Sequence, residues 1–413
     1  MRVVQINVTY GNADSTGRNV KELHDFFLKK GLDSYVYVTA VNDCSETDKR
    51  IHFFSSQRDK QIHAFLSRLT GMQGYFSYFS THKLISELDE LKPDVVMLHV
   101  LHSNCMNFPS LFAFLASKHI ATVVVLHDCW YYTGHCCHYT SVGCDKWKKE
   151  CGKCPQIHQW NKSWFFDFSK KALADKKAWF GSLQSVGVVG VSDWITEEAK
   201  KSILKDAAII QRIYNWIDLE TFRPRDTRDL RKQLGITENE KVLLGVASAW
   251  GNRKGLQEML LAAKSMPDSK VVMIGKMPKN VEIPENMICA GLVRDPVKLS
   301  EYYSMADVFL NPSVQETFGK TTAEAMSCGT PVIVYHTTAC TELVGPGCGK
   351  VVQEPDRNMY VNHVVQYLRR IDIDKSTGEC CRRFAHETFS ADKCMGKYTE
   401  LLNDLQLAGR EEE

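Results

Sequence analysis

The sequence predicts an α/β protein made of two successive doubly wound parallel sheets. Three observations carry that prediction. Short, nearly continuous apolar runs recur along the chain with helix-length stretches between them, which is how strands buried in a parallel sheet read. The runs fall into two series separated by a polar segment. A chain of 413 residues is too long for one ordinary core and suits two domains of about 200 residues.

The first series comprises the runs at 2–8, 34–40, 94–100, 121–127 and 186–192, with helices expected between them, for example at 17–30 and 81–91. The polar stretch 215–229, which carries Pro224, reads as the boundary. The second series runs through 241–248, 270–275, 287–292, 308–313 and 331–335. Met395, Tyr398, Leu401, Leu402 and Leu405 then repeat at helical spacing, so the chain closes on an amphipathic helix. The expected division is an N-terminal domain at 1–218 with a cysteine-rich insertion at 129–155, a second domain at 219–385, and a helix and tail at 386–413.

Hydrophobic content of 44% and charged content of 24% are ordinary for a globular protein. A net charge of +2 provides no global basic field, so nucleic acid is not an expected partner and any anion site must be local. The apolar runs are strand length, well short of the roughly 18 residues of a membrane span. Gln5 and Asn7 interrupt the first run, so it does not read as a signal peptide, and a cytoplasmic protein with reduced thiols is expected.

Open α/β sheets bind ligands at the carboxyl ends of their strands, and two of them place the default site in the cleft between. The strongest chemical string is "NPSVQETFGKTTAEAMSCGTPVIVY" at 311–335. A strand runs into a polar loop holding Glu316, then Gly319 opens a helix that carries Glu324. Glycine lets a ligand approach the backbone, and the helix N-terminus favours an anion such as phosphate. A nearby carboxylate suits sugar hydroxyls because it accepts two hydrogen bonds at once. In "GVASAWGNRKGLQEML" (245–260), Arg253 and Lys254 follow a strand end, where fixed cations suit a diphosphate leaving group. His127 and Asp128 end the run 121–127, and a histidine there can bind a hydroxyl or manage a proton near neutrality. In the first loop, Gly17 is a candidate for the cleft wall, with Ser15 and Thr16 as expected N-caps.

The Glu316-x7-Glu324 pair followed by Ala-Met-x-Cys-Gly-Thr-Pro-Val resembles the donor-binding signature of retaining glycosyltransferases of family 4, which have the GT-B fold. The resemblance extends to the opening strand, His127-Asp128, the Val-Ser-x-Trp strand, the Lys254-Gly255 turn and the closing helix. It implies two Rossmann-like domains facing a cleft, with the last helix returning towards the N-terminal domain. It assigns Glu316 to the donor sugar, Glu324 to the ribose hydroxyls, His127 to the sugar, and Thr317, Phe318 and Gly319 to the sugar and phosphate pocket. Family members carry an arginine near the position of Ala249, so Arg253 is expected to substitute from elsewhere on the backbone. The first loop departs from Gly-Gly-x-Gly, having only Gly11 and Gly17.

The implied reaction is transfer from a nucleotide-diphosphate sugar, UDP- or GDP-linked, to a glycan or polyprenyl-linked acceptor, with retention and no catalytic metal. Asp372 and Asp374 have Asp-x-Asp spacing but follow a helix-like stretch and not a strand. The variant His-Asp-x-Trp…Cys-Gly-x-Cys-Pro is similar to bacterial exopolysaccharide and capsule enzymes. The basic, aromatic segment 161–182 reads either as a packing helix with a solvated lysine face or as a surface for the inner membrane. Rival functions are a sugar-nucleotide epimerase or phosphorylase on the same fold, and a non-catalytic sugar-nucleotide binder with a zinc module. In the insertion, Cys137, Cys144, Cys151 and Cys154 form a candidate structural zinc set, with reduced free thiols and disulfides as the alternatives.

Overall fold

Each expected apolar run forms a strand in the computed structural model, which describes residues 1–12, 14–42, 48–353, 356–370 and 375–411. Asp372 and Asp374 lie outside the described residues. The chain divides into two compact units, Met1–Ile213 with Met395–Glu413, and Tyr214–Cys394.

The first unit contains β1 (Arg2–Ile6), β2 (Thr9–Gly11), β3 (Asp33–Val38), β4 (Ala40–Asn42), β5 (Ile51–Phe53), β6 (Val95–Leu98), β7 (Ala121–Leu126), β8 (Val186–Gly190) and β9 (Ile209–Arg212). Seven of these make one sheet in the order β5-β3-β1-β6-β7-β8-β9, and every pairing in it is parallel. β6, β7 and β8 are buried at every residue, as their unbroken apolar composition requires. The second unit contains β10 (Lys241–Ala249), β11 (Ser269–Lys276), β12 (Met287–Gly291), β13 (Val308–Asn311), β14 (Val332–Tyr335) and β15 (Gly349–Val352). Its order, β12-β11-β10-β13-β14-β15, is the doubly wound order of dinucleotide-binding folds, again wholly parallel.

Strand order reverses beside β1 and β6 in the first unit, and beside β10 and β13 in the second. In doubly wound sheets ligands bind at such switch points, outside the carboxyl ends of the strands. The terminal helix Ala391–Glu411 buries Met395, Tyr398, Leu401, Leu402 and Leu405. Its later part belongs to the first unit, where Leu405 seats so close to Gly187 of β8 that a Cβ there would lie 2.5 Å from Leu405 Cδ1. No helix among the described residues is long and apolar enough to cross a membrane.

One local expectation fails. Ser15 and Thr16 do not cap the first long helix, Ser15–Lys29; Asp14 does, its carboxylate accepting from Gly17 N–H at 2.8 Å. Asp14 has the extended backbone an N-cap needs, whereas Ser15 and Thr16 already lie within the helix.

Candidate active site

In the second unit, two loops at the switch point are stitched together. After β10, Trp250 is anchored by its Nε1–H to the Ile274 carbonyl at 2.9 Å. A single 3-10 turn, Asn252–Lys254, leads to Gly255, whose φ of 74° lies in the left-handed region. A Cβ on Gly255 would sit 2.3 Å from Pro312 Cγ, so only glycine lets this loop meet the one after β13. The Arg253 carbonyl accepts from Val314 N–H at 3.1 Å and from the Ser313 hydroxyl at 3.3 Å. This arrangement carries Lys254 to Glu316, and their side chains form an ion pair.

Glu316 is fixed from behind. Its N–H donates to Thr338 Oγ at 2.9 Å, and Thr338 itself holds a positive φ of 42°, a strained conformation for a threonine. Gly319, at φ 93°, opens the helix Lys320–Ser327 without a side-chain cap, so the helix N-terminus faces its surroundings with main-chain donors. On that helix Glu324 is buried and accepts from the Tyr303 hydroxyl at 3.0 Å. Thr317 is buried. Phe318 is turned into the core, with its ring 5.8 Å from Tyr214 and 5.7 Å from Phe389, so it supports the loop from beneath. Thus Lys254 and Glu316 are brought together, Gly319 and Glu324 follow on the adjoining helix, and the Arg253 carbonyl ties the two loops to each other.

In the first unit, His127 stands at the carboxyl end of β7. Its Nε2 lies 3.1 Å from Nδ1 of His99, at the end of β6. Burial, with the charge of His127 in addition, pushes His99 well below the usual histidine range, so this contact joins a neutral ring to its neighbour. Asp128 pairs with His102 at 2.6 Å. Burial alone would lower His102, but the Asp128 carboxylate and the Cys137 thiol overrule it and hold the imidazole well above its usual range. Asp128 is held down at about 2 against burial that would raise it, chiefly by His102. His99, His102 and Tyr303 were not foreseen. The first two sit just past a buried strand, the position that drew attention to His127. Gly17 lies in the first turn of its helix, where a Cβ would come 3.0 Å from Thr9 Oγ1 and 3.1 Å from the Gly11 carbonyl.

The cysteine-rich stretch divides in two. Cys144, Cys151 and Cys154 line one cavity, and Cys136 joins them there. Cys137 does not: its sulfur lies 3.8 Å from both ring nitrogens of His102 and 3.9 Å from Asn161 Nδ2. The ligand atoms of His102, Asp128 and Cys137 lie within 4.8 Å of one another, close enough to share a metal ion. In the segment 161–182, Lys162, Lys170, Lys171 and Lys177 are exposed, but Lys176 is 2% exposed and breaks the expected lysine face. Its ammonium donates to the Thr133 carbonyl at 2.8 Å and also to that of Trp130, 3.4 Å above whose ring it sits. Burial lowers it to about 7.

Two parallel Rossmann-like sheets, one with a cation–carboxylate pair and an uncapped helix N-terminus at its switch point, are the architecture of the GT-B fold. Family models match accordingly: Glycosyltransferase Family 4 over residues 16–221, and Glycosyl transferases group 1 over residues 226–379. The chain belongs to the family 4 glycosyltransferases. It is 25% identical over 373 residues to the putative colanic acid biosynthesis glycosyl transferase WcaC of Escherichia coli K12, covering 86% of this chain and 88% of the relative. It is 29% identical over 239 residues to N-acetyl-alpha-D-glucosaminyl L-malate synthase of Bacillus anthracis, covering 55% of this chain and 61% of that one. Among solved structures, sucrose-phosphate synthase from Thermosynechococcus elongatus superposes with a TM-score of 0.73 at 16% identity, over 98% of this chain and 99% of that one. Anabaena Alr3699/HepE in complex with UDP gives 0.67 at 14%, over 98% and 100%. These likenesses favour a glycosyltransferase over the epimerase, phosphorylase and non-catalytic readings.

Proposed function

We propose that this glycosyltransferase moves a sugar from a UDP- or GDP-sugar to a hydroxyl of a glycan or polyprenyl-linked glycan, with retention and without a catalytic metal. The observation that carries the proposal is the Lys254–Glu316 pair at the β10/β13 switch point, beside the uncapped helix N-terminus after Gly319. Residues 219–385 bind the donor on this reading, and residues 1–218 the acceptor.

The bond between the anomeric carbon and the phosphate oxygen breaks, and its electron pair goes to the departing diphosphate. The acceptor oxygen bonds to the anomeric carbon on the same face, and its proton passes to the leaving phosphate. Lys254, with Arg253 and the helix N-terminus, offsets the charge that grows on the diphosphate. Glu316 fixes the sugar hydroxyls, Glu324 takes the ribose hydroxyls, and Thr317 and Gly319 shape the pocket. His127 contacts the sugar by family resemblance. The UDP in the Anabaena neighbour and the colanic acid role given to the E. coli relative support a nucleotide donor and a polysaccharide setting.

Peripheral binding at the cytoplasmic membrane face fits Trp164, Phe165 and Phe166, which are exposed beside Lys162 and Lys170. A structural zinc ion in the cysteine-rich insertion completes the reading. A screen of UDP- and GDP-sugars for nucleotide release, with the product anomer assigned by proton NMR, tests it. We expect one donor to turn over equally with and without added Mg²⁺ or Mn²⁺ and to keep its anomeric configuration. An inverted product, or strict dependence on added metal, overturns the mechanism.

A further inference from the structure

Cys136 and Cys137 are neighbours in sequence and part company in space. Cys136 faces a cavity of about 10 Å³, room for one small ion, which it shares with Cys144, Cys151 and Cys154.

The surroundings are those of thiolates. Cys151 and Cys154 flank a tight knuckle in which Gly152 has φ 134° and Lys153 has φ 44°. A lysine is held there only when its surroundings dictate it. Lys146 braces the knuckle, its ammonium donating to the Gly152 and Lys153 carbonyls at 2.9 and 3.0 Å. Gly134 packs closely against Cys151. Gly134 comes this close because it lacks a side chain: a Cβ would lie 2.9 Å from Cys151 Cβ and 2.1 Å from the Ser169 carbonyl. Lys176, buried and held by two carbonyls, lies within electrostatic range of Cys137 first, and then of Cys151, Asp128 and Cys136. Four thiolates around a divalent ion carry a net charge of about −2, and a buried ammonium is the counter-charge such a site needs.

We propose that Cys136, Cys144, Cys151 and Cys154 form a closed, four-thiolate site for a structural zinc ion. Each thiol releases its proton to solvent as the metal binds. Four sulfur donors with no open position suit tetrahedral zinc in a structural role, because a catalytic zinc keeps a place for water. The ion ties the two arms of the insertion together and leaves His102, Asp128 and Cys137 to their own contacts. The site belongs to the first unit and the Lys254–Glu316 pair to the second, and its test reads metal, so it stands or falls independently of the transfer reaction.

The test is elemental analysis of the full-length chain, purified under reducing conditions without chelator. We expect about one zinc per chain, loss of at least roughly fivefold in Cys136→Ser, and retention in Cys137→Ser. Zinc below about one tenth per chain, iron in its place, or disulfides joining these cysteines would overturn the proposal. So would retention in Cys136→Ser with loss in Cys137→Ser, which would move the metal to His102 and Asp128. If Cys136→Ser does not fold, Co²⁺ is loaded into the wild-type chain. The absorption of a tetrahedral four-thiolate complex supports the site, and a mixed nitrogen–oxygen or octahedral spectrum refutes it.

Discussion

Replacing Lys254 by methionine keeps the length of the side-chain stem and removes its charge. The Lys254 and Glu316 side chains are 26% and 15% exposed, so the pair is neither a surface bridge nor a fully buried one. Exposed pairs contribute up to about 1 kcal/mol, and breaking a buried one costs roughly 3–5 kcal/mol. We therefore expect Lys254→Met to destabilise the fold by about 1–2 kcal/mol, chiefly by leaving Glu316 without its cation. The effect on catalysis should be larger. A preorganised charge aimed at a leaving group that becomes more negative is worth about 2.7–4 kcal/mol, or a 10²–10³-fold fall in turnover. Nucleotide release under saturating donor, with thermal melts on the same preparations, separates the two effects. Lys254→Arg should recover only part of the rate, because a planar guanidinium does not replace a point charge. If Lys254→Met folds and turns over within about tenfold of wild type, the residue does not stabilise the leaving group.

Three further outcomes follow from the geometry. Gly255→Ala forces a Cβ against Pro312 and a positive φ on alanine; strain and overpacking together cost about 2–5 kcal/mol, read as a lower melting temperature and lost donor affinity. Tyr303→Phe takes away the hydroxyl that bonds Glu324, so the donor KM should rise about tenfold with kcat little changed; an equal fall in kcat would place Tyr303 in the chemical step. The His102–Asp128 pair makes stability pH-dependent on both sides. Asp128 is depressed, so its contribution is present above the unfolded value of about 3.9 and is lost as pH falls through about 2. His102 is raised, so its contribution is complete below the unfolded value of about 6.5 and fades as pH rises through its elevated folded value. Denaturant titrations of wild type and Asp128→Asn should differ most near pH 5, and a difference that keeps growing at alkaline pH would contradict the pairing.

The central strands were legible because burial on both faces leaves an unbroken apolar run, as in β6, β7 and β13. β2 and β4, which form a two-stranded sheet of their own, went unread, as did β5, β9 and β15, which all close a sheet edge. Solvent touches one side of each, so polar residues dilute the pattern; β9 has no fully buried residue. The Glu316 string was readable because loop, glycine and helix follow one another locally. Its partnership with Lys254 spans 62 positions and needs the sheet to form first. Phe318 illustrates the converse: sequence places it beside the ligand residues, but only packing shows that it faces Tyr214 and Phe389. Spacing could not show which of two adjacent cysteines turns towards Cys144, nor that Lys176 is the one buried member of a basic run.

The path of the terminal helix bears on how the chain acquires its structure. The last segment of the first unit begins at Met395, after the whole of Tyr214–Cys394 has been made. On a ribosome, therefore, the second unit has its full complement of strands while the first still lacks the helix that covers Gly187 with Leu405. Until that helix docks, the apolar surface that receives Tyr398, Leu401, Leu402 and Leu405 faces water. The first unit is thus first to begin emerging and last to be completed. A frameshift or nick just after Cys394 would spare Lys254, Glu316 and Glu324 and unseal the other unit.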